Sequence, residues 1–131
     1  MTQASQLRIL TVDDQMTIRI VLRDNLKRLG VVDITEALDG ETALRVLLKE
    51  KEPPHLIISD YHMPNMDGLT LLRAIRVHPP LQKVPFIMLT GHADRELVIK
   101  ARSLGANNYL IKPFTTVSLR EKIEMVIGPL T

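Results

Sequence analysis

Three aspartates, a threonine and a lysine carry most of the chemistry this sequence could perform: Asp13-Asp14, Asp60, Thr90 and Lys112. Each follows a short apolar run: Leu7 to Val12, Leu56 to Ser59, Pro85 to Leu89 and Asn108 to Ile111. Three carboxylates brought together repel by about 4 kcal/mol per pair at about 4 Å in an effective dielectric near 20, so such a cluster needs a cation or a proton. Hard oxygen ligands suit Mg²⁺, with Mn²⁺ also admissible; Mg²⁺ takes one or two carboxylates, waters and a substrate phosphate oxygen. One aspartate is then free to act as a nucleophile, and Asp60 is the candidate. Lys112 would offset the charge of a transferring phosphoryl group, and the Thr90 hydroxyl would hydrogen-bond one of its oxygens. Singly, each residue has a bland explanation: Asp-Asp as a helix N-cap, Lys before Pro as a solvated turn, Thr at a strand end. Their joint occurrence at the ends of four separate runs is the argument for a site.

The elements that would bring these residues together are visible as an alternation of β-branched runs with helix-period segments, the pattern of βαβ units on a parallel sheet. Five units can be counted. Leu7 to Val12 precedes a helix from about Gln15, with Ile18, Val21, Leu22, Leu26 and Leu29 expected on its inner face and Gly30 ending it. Val31 to Ala37 precedes a helix over Glu41 to Lys49. Leu56 to Ser59 is apolar without alternation, as a strand covered on both faces should be, and leads to Asp60 and a helix over Leu69 to Val77. Pro85 to Leu89 leads to Thr90 and a helix over Asp94 to Leu104. Asn108 to Ile111 leads to Lys112 and a helix from Thr116, with Leu119, Ile123, Val126 and Ile127 inward. In an open parallel sheet, ligands bind beyond the carboxyl ends of the strands, so the five polar residues converge on one edge.

Bulk properties narrow the classes. The 131 residues suit one domain, spanning 1–131 with its core over 7–128 and no residues left for an output domain. With 45% hydrophobic and 24% charged residues the chain is far from a disordered composition. The absence of cysteine excludes thiolate chemistry, and His55, His62, His78 and His92 lack metal-site spacing, so any metal must be held by oxygen. No leader-like start or membrane-length apolar run is present, which points to the cytoplasm without membrane insertion. The net charge of +2 is spread along the chain, so no direct nucleic-acid contact is expected, and a monomer is.

Together, Val12-Asp13-Asp14, Ser59-Asp60, the loop Met63-Pro64-Asn65-Met66-Asp67-Gly68, Leu89-Thr90-Gly91 and Lys112-Pro113-Phe114 make the sequence resemble two-component receiver domains, most closely single-domain CheY-type chemotaxis regulators. The resemblance implies a doubly wound, flavodoxin-like (βα)₅ fold with strand order 2-1-3-4-5. It implies phosphorylation of Asp60 by a phosphohistidine of a CheA-like sensor histidine kinase. The metal would be held by Asp13, Asp14, Asp60 and the backbone carbonyl of His62, with Thr90 and Lys112 on the phosphoryl oxygens and a cis Lys112-Pro113 bond. Tyr109 would be the switch aromatic behind Thr90. The face of the fourth helix, fifth strand and fifth helix would meet a downstream partner, such as a flagellar switch protein, through Val98, Arg102, Tyr109 and Lys122. Two positions depart from the commonest chemotaxis pattern, His62 and His92, where Asn and Glu are usual; they are candidates for tuning phosphate lifetime.

Other functions are weighed against this. A magnesium-dependent phosphatase of the haloacid dehalogenase type needs a second Asp two residues after the nucleophile, where this chain has His62. A flavodoxin-like flavin carrier needs a phosphate loop where this chain has Asp13-Asp14-Gln15. Within the receiver class, a phosphorelay intermediate, a phosphate sink or a stress-pathway regulator would use the same site. In each the chain would act as a phospho-accepting switch that catalyses only its own phosphorylation and dephosphorylation, not as an enzyme on other substrates.

Overall fold

The computed structural model describes residues 2–91 and 95–131. Five βα units follow in order: β1 (Arg8–Val12), α1 (Met16–Arg28), β2 (Asp33–Ala37), α2 (Gly40–Lys49), β3 (Leu56–Asp60), α3 (Gly68–Val77), β4 (Phe86–Thr90), α4 (Arg95–Ser103), β5 (Asn108–Ile111) and α5 (Thr116–Ile127). Two single 3₁₀ turns, Ala4–Gln6 and Pro79–Leu81, complete them.

All strand pairs are parallel, in the order β2-β1-β3-β4-β5. This is the doubly wound arrangement expected from the sequence. The apolar runs of β3 and β4 are buried at every position because helices cover both faces, whereas the edge strand β2 alternates. Successive side chains sort into two cores. Leu10, Val12, Ile57, Phe86 and Met88 pack with α2, α3 and α4. Ile9, Ile58, Ile87, Leu89 and Leu110 pack with α1 and α5 through Leu22, Leu26, Leu119 and Ile123.

Several expected boundaries shift. Leu7 and Val31 are buried but precede their strands, and Asp60 and Thr90 are the last residues of β3 and β4 rather than the first beyond them. Val21 was expected to face inward but is 43% exposed, because the inner stripe of α1 centres on Leu22 and Leu26, with Ile18 and Leu29 partly buried against the same core. Asp94, expected to start the fourth helix, lies outside the described residues. The buried core also reaches beyond 7–128, to Ala4 and Leu130, because the two ends are joined. Thr2 N–H donates to the Pro129 carbonyl at 2.8 Å and Thr131 N–H to the Thr2 carbonyl at 2.9 Å. Among the described residues no helix is long and apolar enough to cross a membrane.

Candidate functional site

Parallel pairing brings the ends of β1, β3, β4 and β5 to one edge. Asp13 follows β1 directly, its N–H donating to the Ala37 carbonyl at 3.1 Å, and is fully buried. Asp60 closes β3 and is buried, whereas Asp14 is exposed. Carboxylate oxygens of Asp13, Asp14 and Asp60 lie within 4.8 Å of one another. Lys112 follows β5, where its N–H donates to the Thr90 carbonyl at 2.8 Å. Its Nζ reaches back between two of the acids, 3.0 Å from Asp60 Oδ1 and 3.2 Å from Asp13 Oδ2. The Lys112-Pro113 peptide is cis.

The carboxylates are aimed by backbone donors. Asp13 Oδ1 accepts from Gln15 N–H at 2.9 Å, and Asp60 Oδ1 accepts from Tyr61 N–H at 2.9 Å. Asp13 Oδ2 is buried without a well-directed hydrogen bond, its nearest cation being the Lys112 ammonium at 3.2 Å. Burial pushes the Asp13 carboxyl above its ordinary value of 3.8; the neighbouring Asp60 charge adds to this, while the Gln15 N–H and Lys112 oppose it. A buried carboxylate oxygen without a well-directed hydrogen bond, beside two further carboxylates, fits a hard divalent cation. Asp13, Asp14 and Asp60 are the residues that could hold Mg²⁺.

The loop between Asp60 and α3 is held by hydrogen bonds to its own helix and to α2. Asp67 caps α3, accepting from Thr70 N–H, and Asp39 caps α2, accepting from Thr42 N–H at 2.7 Å. Asn65, at φ +66°, donates its side-chain amide to Asp39 Oδ2 at 2.7 Å, so one carboxylate ties the loop to α2. These two bonds hold the Asp39 carboxyl below its ordinary value. Gly68 begins α3 so close to β3 that a Cβ there would collide with the Asp60 carbonyl.

Of the expected site residues, Asp13, Asp14, Asp60 and Lys112 are brought into one cluster. Thr90 is buried at the end of β4, one position past the partner of Asp60 in the β3–β4 register. Tyr109 is half-buried on β5, on the same sheet face as Thr90 by strand alternation. Lys122 Nζ stands 4.7 Å from the centre of its ring, and Arg95, Val98 and Ile99 join Tyr109 around a cavity of about 200 Å³. Arg102 is exposed on α4. The His62 side chain is exposed, its ring edge-on to Tyr61 at 4.4 Å. His92 lies outside the described residues.

Sequence reasoning missed Arg19, whose guanidinium donates to the Asp13 carbonyl at 2.7 Å, and the Asp39–Asn65 tie. A side chain bonding a distant backbone carbonyl leaves no spacing signature. Asn65 in the left-handed region was in principle legible, since Asn tolerates it better than most residues.

A cavity of about 610 Å³ opens elsewhere, lined by Pro54, His55, Pro80 and Lys83 among others. It contains none of the clustered acidic residues, which lie at the carboxyl edge of the sheet.

Residues 9–124 match the family described as the response regulator receiver domain. The chain is 46% identical to the probable chemotaxis protein CheY of Rhizobium etli over 130 residues, 99% of each chain. Among solved structures it resembles the chemotaxis response regulator CheY4 of Vibrio cholerae, with TM-score 0.84 and 30% identity over 92% of this chain and 98% of that one. It also resembles the receiver domain of a sensor histidine kinase from Pseudomonas aeruginosa, solved with a magnesium ion coordinated in its active-site cleft. There the TM-score is 0.83 with 30% identity, covering 93% of this chain and 98% of that one.

Proposed function

The chain belongs to the response-regulator receiver family and is of the CheY-like kind, and from that premise we propose that it is a phospho-accepting switch in chemotaxis. In this reading Asp60 takes a phosphoryl group from a phosphohistidine of a CheA-like sensor kinase. The observation that carries it is the Lys112 ammonium placed between Asp60 and Asp13 inside a three-carboxylate cluster.

The chemistry follows from the donors present. Tyr61 N–H and Lys112 engage Asp60 Oδ1, which leaves Oδ2 to attack phosphorus. A P–O bond to Asp60 forms as the P–N bond to the donor imidazole breaks, and the bond pair goes to the departing ring nitrogen, which takes up a proton. Mg²⁺ bound by Asp13, Asp14 and Asp60, with the His62 backbone carbonyl as a further ligand, would supply positive charge for the transferring group's oxygens. Lys112 would exchange part of its carboxylate contact for a phosphoryl oxygen, and Thr90 would donate its hydroxyl to another. Water later hydrolyses the acyl phosphate, so the only turnover is the protein's own. His62 and His92 are positioned in sequence to tune that step.

The output reading rests on α4, β5 and α5. Ile99, Ile111 and Met125 leave apolar surface exposed there beside Tyr109, Arg102 and Lys122, a composition suited to a protein partner such as a flagellar switch component. Movement of Thr90 toward the phosphoryl group, with Tyr109 turning inward, would couple the site to that face; shifting such an equilibrium from about 1:99 to about 99:1 takes about 5.5 kcal/mol. A phosphorelay intermediate or phosphate sink would not need this face. The test is a pull-down of a flagellar switch protein by the beryllofluoride-treated chain, using wild type and Ile99→Glu. Binding that requires beryllofluoride and is lost in the variant supports the reading; equal binding with and without it refutes the output role.

A further inference from the structure

Asp13 is fixed at three points, and the third was not expected. Its N–H pairs with Ala37 on β2, its Oδ1 takes the Gln15 N–H, and its carbonyl, just past the last ladder position of β1, takes the Arg19 guanidinium at 2.7 Å. Only Oδ2 is left without a well-directed hydrogen bond. Arg19 is itself held. Its Nε lies 3.7 Å from Glu36 on β2, and its side chain is only 12% exposed. Glu36 pairs in register with Thr11, one residue before the Ala37 that binds Asp13, so β2 anchors both the peptide of Asp13 and the arginine that grips it. Arg23, one turn further along α1, meets the same Glu36 at 3.2 Å, but of the two arginines it is Arg19 that hydrogen-bonds Asp13.

We infer that Arg19 is a positioning residue for the metal site: it sets the Asp13 peptide so that Oδ2 points toward Asp14 and Asp60 as a preorganised ligand. This rests on the reading of the acidic cluster as a Mg²⁺ site. Groups that orient a metal ligand without touching the metal typically contribute about 10- to 100-fold to affinity. Charge alone predicts the opposite sign, because removing a nearby cation should favour binding of Mg²⁺. The direction of the effect therefore separates positioning from simple electrostatics, and Arg23, a cation on the same Glu36, serves as the control.

The experiment is calorimetric titration of Mg²⁺ into wild type, Arg19→Gln, Arg19→Lys and Arg23→Gln at neutral pH and fixed ionic strength, each checked for folding by circular dichroism. The expected result is a Kd raised about tenfold in Arg19→Gln, partly restored in Arg19→Lys, and within about twofold of wild type in Arg23→Gln. Equal Kd values for wild type and Arg19→Gln, tighter binding in Arg19→Gln, or an equal loss in Arg23→Gln would each overturn the inference while leaving the metal site standing. No saturable Mg²⁺ binding by wild type would overturn both.

Discussion

Lys112 Nζ lies 3.0 Å from Asp60 Oδ1 and is the one basic side chain in ion-pair contact with the acidic cluster among the described residues. Two roles converge on it. Without cation or phosphate it offsets two buried carboxylates, and during phosphoryl transfer it would stabilise the developing charge. Lys112→Ala should cost about 3 kcal/mol of stability in urea titrations without Mg²⁺, since removing one partner leaves buried charge uncompensated. It should also slow phosphorylation by acetyl phosphate about 100-fold, the usual loss for one electrostatic donor. Unchanged stability would show that the ion pairs are solvated.

Asp13 gives a prediction of opposite sign. Its folded-state carboxyl titrates above its unfolded value, so the charged form costs stability at neutral pH, and that cost is relieved as pH falls through the folded value. Asp13→Asn should therefore raise the metal-free melting temperature by a few degrees. Mg²⁺ at about 100 times its Kd should stabilise wild type by about 2.7 kcal/mol and leave the variant almost unmoved. Thermal melts with and without Mg²⁺ check both statements.

Asp39 behaves in the other direction. Bonds from Thr42 N–H and Asn65 hold its carboxyl below the ordinary 3.8, so its contribution is present above that value and is lost as pH falls through the folded one. Asp39→Ala should cost about 1 kcal/mol at neutral pH. Asp39→Asn should keep most of the cap and remove this part of the acid sensitivity, as read by urea midpoints from neutral to strongly acid pH.

Gly68 tests the packing under Asp60. A Cβ there meets the Asp60 carbonyl and, at 2.9 Å, the Met88 sulfur. The sulfur can move, but the carbonyl belongs to the strand that carries Asp60. Gly68→Ala should destabilise by about 2 kcal/mol and slow phosphorylation by displacing Asp60. A fully stable variant with normal phosphorylation would contradict the close approach.

The legible part of this molecule was the part governed by period and strand position. Asp13, Asp60, Thr90 and Lys112 each sit where an apolar run stops, and parallel pairing then leaves little freedom in where they meet. Val21 was misjudged because helical period marks a stripe but not its width, which depends on how α1 packs beside β1 and α5. The Arg19 contact and the Asp39–Asn65 tie were not legible because each joins a side chain to a partner chosen by tertiary placement. The stacking of Lys122 on Tyr109 links α5 to β5 in the same way: both residues were expected on one face, but not their contact.

In the proposed function Asp60 accepts a phosphoryl group with a metal ion beside it. Intact mass after incubation with acetyl phosphate measures this directly, comparing wild type with Asp60→Asn, with Mg²⁺ and with chelator. The predicted result is one added phosphoryl unit on wild type with Mg²⁺, and none on the variant or the chelated sample. An adduct that persists in Asp60→Asn, or wild type that takes up neither a phosphoryl group nor beryllofluoride, would contradict the account.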